Sequence, residues 1–211
     1  MSRIRTTDAL VLKAYDIGDA DRFCVLLTKT DGRMTAIAKG SRKAQSKLAG
    51  ALQSFRHLRV DLAEHSSGFY VRSAQCVESF DSIRSDLRCF SLANRGAELL
   101  LHFLHDTQPQ ESIFTLALDF FAECHSGATE ILLPTFQVML FKELGLLPSF
   151  VDASHSPAFY AYVTAPCSFK DRAAMQLDDT EKQTLFRVCD SLLCDHLSYP
   201  LKAPAALNAV F

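Results

Sequence analysis

Over the first eighty positions, apolar residues come in short runs broken by turn residues. Ala9 to Tyr15 is one run, ended by Asp16 and Gly18, and Phe23 to Thr28 is a second, closed by Asp31-Gly32. An Asp-Gly pair between apolar runs predicts a hairpin, because glycine takes positive φ without a Cβ clash. Met34 to Ala38 predicts a third strand, ended by Gly40. Leu52 to Leu62 alternates in part, with Leu58, Val60 and Leu62 on one side and Arg59 and Asp61 on the other. Phe69 to Val77, after a Ser66-Ser67-Gly68 turn, predicts a fifth strand, in which one of Phe69 and Tyr70 must face the core. Five short strands with this punctuation predict a closed or nearly closed antiparallel barrel, with a short helix near Ser46 to Ala51 between the third and fourth. An OB-fold requires that arrangement, although other small barrels share the strand count.

From Asp81 the period becomes helical. Leu87, Phe90, Ala93, Ala97, Leu100 and Leu104 follow steps of three or four, with Asp81 or Ser82 as the cap. Phe114, Ala117, Phe121 and Cys124 mark a second helix ended by Gly127. Phe136, Leu140 and Leu144 mark a third, with Pro134 in its first turn and Gly145 and Pro148 as its stop. Residues 149–177 lack a clean period and contain Pro157 and Pro166. Asp178 or Asp179 then caps a last helix holding Leu185, Val188, Leu192 and Leu193, ended by Pro200. The expected class is α+β: a five-stranded OB-fold β-barrel over 1–80, then an all-α helical domain over 81–211 with an irregular segment at 149–177.

Charge changes at the same boundary. The 211 residues carry a net charge of −2. Residues 1–80 hold thirteen Lys/Arg against eight Asp/Glu, or +5, and residues 81–211 hold nine against sixteen, or −7. Distribution bears on nucleic-acid binding more than the sum does. The seven cysteines are irregularly spaced, which argues against a disulfide framework and for a reducing, cytoplasmic setting. Met1 to Asp8 lacks the apolar region of a signal peptide, and no run reaches the length of a membrane span.

The richest local signal is Ala38-Lys39-Gly40-Ser41-Arg42-Lys43-Ala44-Gln45-Ser46-Lys47, four cations without an acid. Its Gly and Ser residues make it a loop, on which Lys39, Arg42, Lys43 and Lys47 can reach phosphates while backbone N–H groups approach closely. A solvated loop that only aids solubility is the plainer reading. Arg33, Arg56, Arg59 and Arg72 add charge to the same predicted barrel, and Tyr70 offers a platform for base stacking. Metal ligation is not expected: there is no C-x-x-C pair, and Cys189, Cys194 and His196 lack zinc spacing. No G-x-S-x-G, H-E-x-x-H or Walker loop is present. Asp16, Asp19 and Asp21 are the one acidic group that a metal-dependent hydrolase would use, and as turn residues they need no such role. His102 and His105 suit a helix C-terminus.

Several ordered blocks resemble the RecO family of recombination mediators. They are Asp8-Ala9-Leu10-Val11-Leu12 with Gly18-Asp19-Ala20-Asp21-Arg22, Gly32-Arg33 with the basic loop, Leu48 to Phe55, Arg72-Ser73-Ala74 with Glu78, Phe136 to Pro148, and Pro200-Leu201-Lys202. The resemblance implies an OB-fold joined to a helical domain, no enzymatic activity and no cofactor. It implies binding of single- and double-stranded DNA, strand annealing, and work with RecR, sometimes RecF, to help RecA displace single-strand-binding protein (SSB). It also implies a contact between the helical domain and the acidic SSB tail, placed here on Phe136, Leu140 and Lys142. The chain departs from many relatives in lacking a cysteine zinc motif after Pro148, where only Cys167 occurs, and in carrying Pro134-Thr135 where relatives have basic residues. The alternative to a DNA-binding mediator is a scaffold whose barrel docks RecR.

Overall fold

The computed structural model describes residues 3–127, 129–147 and 157–196. Five strands, β1 (Ile4–Ile17), β2 (Asp21–Thr28), β3 (Gly32–Ala38), β4 (His57–His65) and β5 (Gly68–Glu78), close into a barrel in the order β1-β2-β3-β5-β4. All pairs are antiparallel except β3 with β5, which are parallel through Ala36–Phe69 and Ile37–Tyr70. This is the OB-fold closure. Alternation fills the barrel: Ala9, Val11, Cys24, Leu26, Met34, Ala36, Leu58, Val60, Leu62 and Val71 point inward and form one buried cluster. The Asp31-Gly32 turn joins β2 to β3 as expected, with Gly32 at φ 70°.

β1 begins five residues before its apolar run, because the polar residues there find partners on β4, as Arg5 does with Glu64 at 3.0 Å. Ile4 to Leu10 pair with β4, and the Thr6 hydroxyl donates to Asp61 at 2.6 Å. β4 starts at His57 rather than at Leu52. Leu52 instead joins the barrel core, while Phe55, at φ 67°, turns toward the helices. No helix forms at Ser46 to Ala51. N–H groups there reach mostly three residues back, as in Ser46 to Lys43 and Ala49 to Ser46, and the Ser46 hydroxyl takes the Leu48 N–H at 3.3 Å. Serine competing locally for backbone donors explains the turns.

Seven helices are described: α1 (Asp81–Ser85), α2 (Leu87–Phe103), α3 (Glu111–Ser126), α4 (Leu132–Glu143), α5 (Pro157–Thr164), α6 (Phe169–Ala173) and α7 (Asp179–His196). The expected single first helix is split at Asp86, whose carboxylate caps α2 through the Cys89 N–H at 2.8 Å. The buried face of α2 is Leu92, Ala93, Gly96, Ala97, Leu99 and Leu100, whereas Phe90 and Leu87 are 41% and 81% exposed. Gly96 admits the Phe120 ring, which a Cβ there would meet at less than 3 Å. Pro134 sits in the first turn of α4, where a missing N–H costs nothing. Within the segment that lacks a clean period, residues 157–177 carry α5 and α6. Asp178 caps α7 by a reciprocal pair: it accepts from the Glu181 N–H at 2.8 Å, and its own N–H donates to the Glu181 carboxylate at 3.0 Å. Pro148 and Pro200 to Lys202 lie outside the described residues.

The barrel and the helices share a core. Leu10, Leu12, Leu27 and Phe55 belong to the same buried cluster as Leu92, Leu100, Phe114, Phe120, Phe121, Phe136 and Leu140.

Candidate nucleic-acid interface

The loop from β3 to β4 is bolted to the β1–β2 turn. Gly40, at φ 64°, donates its N–H to the Asp21 carboxylate at 2.7 Å, and the Arg42 N–H donates to the Ala20 carbonyl at 2.9 Å. The Arg42 guanidinium pairs with Asp16 at 3.2 Å and donates to the Gly18 carbonyl at 3.1 Å. Arg22 also holds Asp16, at 3.0 Å, and donates to the Leu52 carbonyl at 2.8 Å. Asp16 and Asp21, two members of the acidic group, are therefore committed to bracing the loop.

Lys39, Lys43 and Lys47 are the exposed cations that remain on this loop, and none has a carboxylate within 4 Å among the described residues. Tyr70 faces outward beside them: the Lys39 ammonium stands 4.8 Å from its ring centroid. The Tyr70 hydroxyl bonds Ser67 at 2.9 Å, and the His65 ring meets Tyr70 edge-on at 5.1 Å. Phe69 is the inward partner, packed against the barrel core. Arg72 is exposed two residues further along β5.

The other predicted cations are placed differently. Arg33 donates to Asp106 at 2.7 Å and to the Leu101 carbonyl. Arg56 donates to the Gly50 carbonyl and pairs with Asp81 at 3.5 Å. Arg33 ties the barrel to the helices, and Arg56 does so too while fastening the loop at Gly50. Arg59 is neutralised by Asp8 at 2.9 Å. Next to it Asp61 is held below the usual carboxylate range by hydrogen bonds from Ser73 and Thr6. The candidate site thus narrows to the lysines of one loop, Tyr70 and Arg72, while Arg33, Arg56 and Arg59 are held by partners within the fold.

In the helical part, Phe136 and Leu140 are wholly buried, with Phe136 stacked on Phe120 at 4.2 Å. Lys142 is exposed and donates to the Val163 carbonyl at 3.3 Å. The three do not share a surface. A groove of about 500 Å³ runs between β1 and α2, lined by residues that include Leu12, Lys13, Leu87, Phe90, Ala97 and Leu101. Sequence reasoning missed His65 and Lys13, which lie on strands and carry no local signature. Among the described residues no group of three or more His, Cys, Asp or Glu side chains is arranged to hold a metal ion. Burial pushes the Cys24 thiol up to about 11, and raises Cys124 and Cys189 further, so these are inert packing groups. No described helix is long and apolar enough to cross a membrane.

The family model for the N-terminal domain of recombination protein O matches residues 1–80, the extent of the barrel. The DNA repair protein RecO of Myxococcus xanthus (strain DK1622) is 35% identical over 152 residues, which cover 70% of this chain and 61% of that protein. RecO of Symbiobacterium thermophilum is 33% identical over 145 residues (67% and 57%), and RecO of Anaeromyxobacter sp. (strain K) is 30% identical over 151 residues (70% and 59%). The chain spans about three fifths of the length of these relatives. A closed five-stranded barrel that matches the family model over residues 1–80 places this barrel in the RecO N-terminal family, and the chain's similarity to RecO proteins continues into the helices.

Proposed function

We propose that this chain is a non-enzymatic mediator of DNA repair and recombination that binds single- and double-stranded DNA through its barrel. The observation that carries the reading is the braced loop with Lys39, Lys43 and Lys47 free of carboxylates and Tyr70 turned outward beside them. The relatives' name, DNA repair protein, points the same way. Lysines on phosphates release counterions, which makes binding salt-dependent. Two strands drawn to one cationic surface repel each other less, and this is how annealing is promoted. In this reading the partners are RecR, with RecF and RecA acting downstream and SSB coating the strand. An SSB-tail contact on Phe136, Leu140 and Lys142 would need the two buried residues to come to the surface, so Lys142 alone is positioned for it.

The test is binding and annealing of complementary oligonucleotides as a function of salt. Binding that tightens as salt falls, with annealing lost when the three lysines are removed, supports the reading. DNA binding of unchanged strength and salt dependence in the lysine-free variant refutes it. A scaffold that docks RecR is the second reading, and the groove favours it, since Leu87 and Phe90 are exposed apolar side chains along one side of it. Capture of RecR by nuclease-treated protein without any DNA affinity would decide for the scaffold.

A further inference from the structure

α2 turns a heptad seam toward the groove that it forms with β1. The residues it contributes to the lining include Leu87, Phe90, Asn94, Ala97 and Leu101, spaced three, four, three and four apart. That is the a-d-a-d-a spacing through which one helix packs lengthwise against another. The face that α2 buries is a different one, with Leu92, Ala93, Gly96, Leu99 and Leu100 held in the chain's own interior. Leu87 is 81% exposed and Phe90 41%, so the first turn of the seam stands in solvent. Ala97, buried and small, lets a second helix approach closely. Leu12 of the strand wall and Ala97 of the helix wall belong to one buried cluster, so the two walls are fixed. Two exposed apolar side chains on one seam, beside a groove with fixed walls, mark an interaction surface.

The seam fits a copy of itself. A two-fold axis along the groove sets α2 parallel to the α2 of a second copy, and each seam residue meets its own counterpart. Asn94, the central a residue, then faces Asn94 of the second copy, and a single polar a position is what fixes the register of a parallel pair. Its Nδ2 donates to the Phe90 carbonyl at 2.8 Å, which leaves the second amide hydrogen and the Oδ1 for the facing amide. The charges are complementary as well. Lys13 stands on the strand wall and Glu98 on the helix wall of the same groove. Glu98 is an e position, and the g positions, Ala93 and Leu100, are buried in one cluster with Leu12 of β1. Lys13, the next residue of β1, therefore takes the place of a g-position charge. The two-fold axis brings it to Glu98 of the second copy, and does so twice.

We propose that this groove is a self-association surface on which two copies of the chain pair through α2, with the seam from Leu87 to Leu101 at the centre and Lys13–Glu98 contacts along its edges. The pairing does not depend on the DNA-binding reading. Its consequence for annealing does rest on that reading: a pair carries two lysine loops, one for each of the strands brought together. The pairing also gives the groove an occupant other than RecR.

The experiment is sedimentation equilibrium without DNA, over about 1–100 µM chain, so it is read apart from any DNA affinity. The wild type is expected to pass from the mass of one chain to twice that mass as concentration rises. Leu87→Glu places a charge on the seam at an exposed position, where the fold does not depend on the side chain. This variant should keep its melting temperature when dilute and stay at the mass of one chain. Lys13→Glu and Glu98→Lys each set two like-charge contacts in the pair, so each should raise the midpoint concentration by at least about tenfold. The double variant Lys13→Glu/Glu98→Lys should bring the midpoint back. A wild type that stays at the mass of one chain throughout overturns the pairing and leaves the groove to a helix of another protein. A Leu87→Glu variant that pairs as well as the wild type also overturns it. A double charge variant no better than the single ones overturns the Lys13–Glu98 contact and the parallel arrangement with it.

Discussion

Replacing Lys39, Lys43 and Lys47 together by alanine removes the three loop cations that have no carboxylate partner while leaving the loop's own anchors in place. The Gly40–Asp21 and Arg42–Ala20 hydrogen bonds hold the backbone, and the three side chains are exposed, so the fold is expected to persist with an unchanged melting temperature. Each phosphate neutralised on a single strand adds about −0.7 to the slope of log K against log salt, so three contacts account for about −2. Between 50 and 200 mM salt, a slope of that size alone weakens binding by roughly twentyfold. The assay is fluorescence anisotropy of a labelled single strand over a salt series. The variant should bind weakly at every salt concentration, with a slope shallower by about 2. Arg42→Ala should flatten the slope less, since its guanidinium is already paired with Asp16, and should loosen the turn that Asp16 braces. A triple variant with the wild-type slope, or an Arg42→Ala effect as large as all three lysines together, would refute this division between free and committed cations.

Gly96→Ala drives a Cβ into the Phe120 ring, which is itself locked against Phe136, so a loss of about 1–3 kcal/mol and a fall of several degrees in melting temperature are expected by calorimetry. Asp61 is held below its usual range, so its hydrogen bonds stabilise the fold above the ordinary carboxylate pKa near 4, and that contribution disappears as pH falls through the lower folded value. Melting curves between pH 6 and 2 should therefore fall less steeply for Asp61→Asn than for the wild type, and equal steepness would contradict the assignment. Cys76 and Cys194 are exposed whereas Cys24, Cys89, Cys124 and Cys189 are buried, so a thiol reagent should label the first two promptly in the native protein and reach the buried four only on unfolding.

What the sequence makes legible follows from how local each signal is. The Asp31-Gly32 turn, the inward alternation of Leu58, Val60 and Leu62, and the change of period near Phe80 depend on neighbours in the chain, and each is where the pattern puts it. The split at Asp86 escaped because an apolar stripe runs through it unbroken, and only the carboxylate accepting from Cys89 marks the break. Arg33 and Arg56 look like loop lysines in composition. Their partners, Asp106 and Asp81, lie 73 and 25 residues away, and a cation committed to a distant acid cannot be told from a free one without the fold. The outward line of Tyr15, Phe23, Ile37 and Tyr70, each paired with the next across adjacent strands, is the extreme case. Its members come from four strands, and it exists only through the register of three strand pairs.

The change of period and charge near residue 80 does not coincide with a physical seam. Leu10, Leu12, Leu27 and Phe55 leave the barrel's outer face to join the helical core, where Phe55 stacks on Phe121 at 5.4 Å. Arg33 and Arg56 cross the same junction, and Gly32 lies so close to the Gln108 backbone that a Cβ there would overlap it. Part of the barrel's outer surface is thus used for packing, while another part, bearing Tyr15, Lys39, Lys43 and Lys47, is left to solvent. The acidic helices are fixed against the face that carries Leu10, Leu12 and Leu27. The loop lysines have no carboxylate within 4 Å among the described residues, and salt screens exposed charges beyond about 10 Å, so the −7 of residues 81–211 need not cancel the loop. The net charge of the whole chain is therefore a poor guide to what its barrel binds, and the direction in which each cation is tied is a better one.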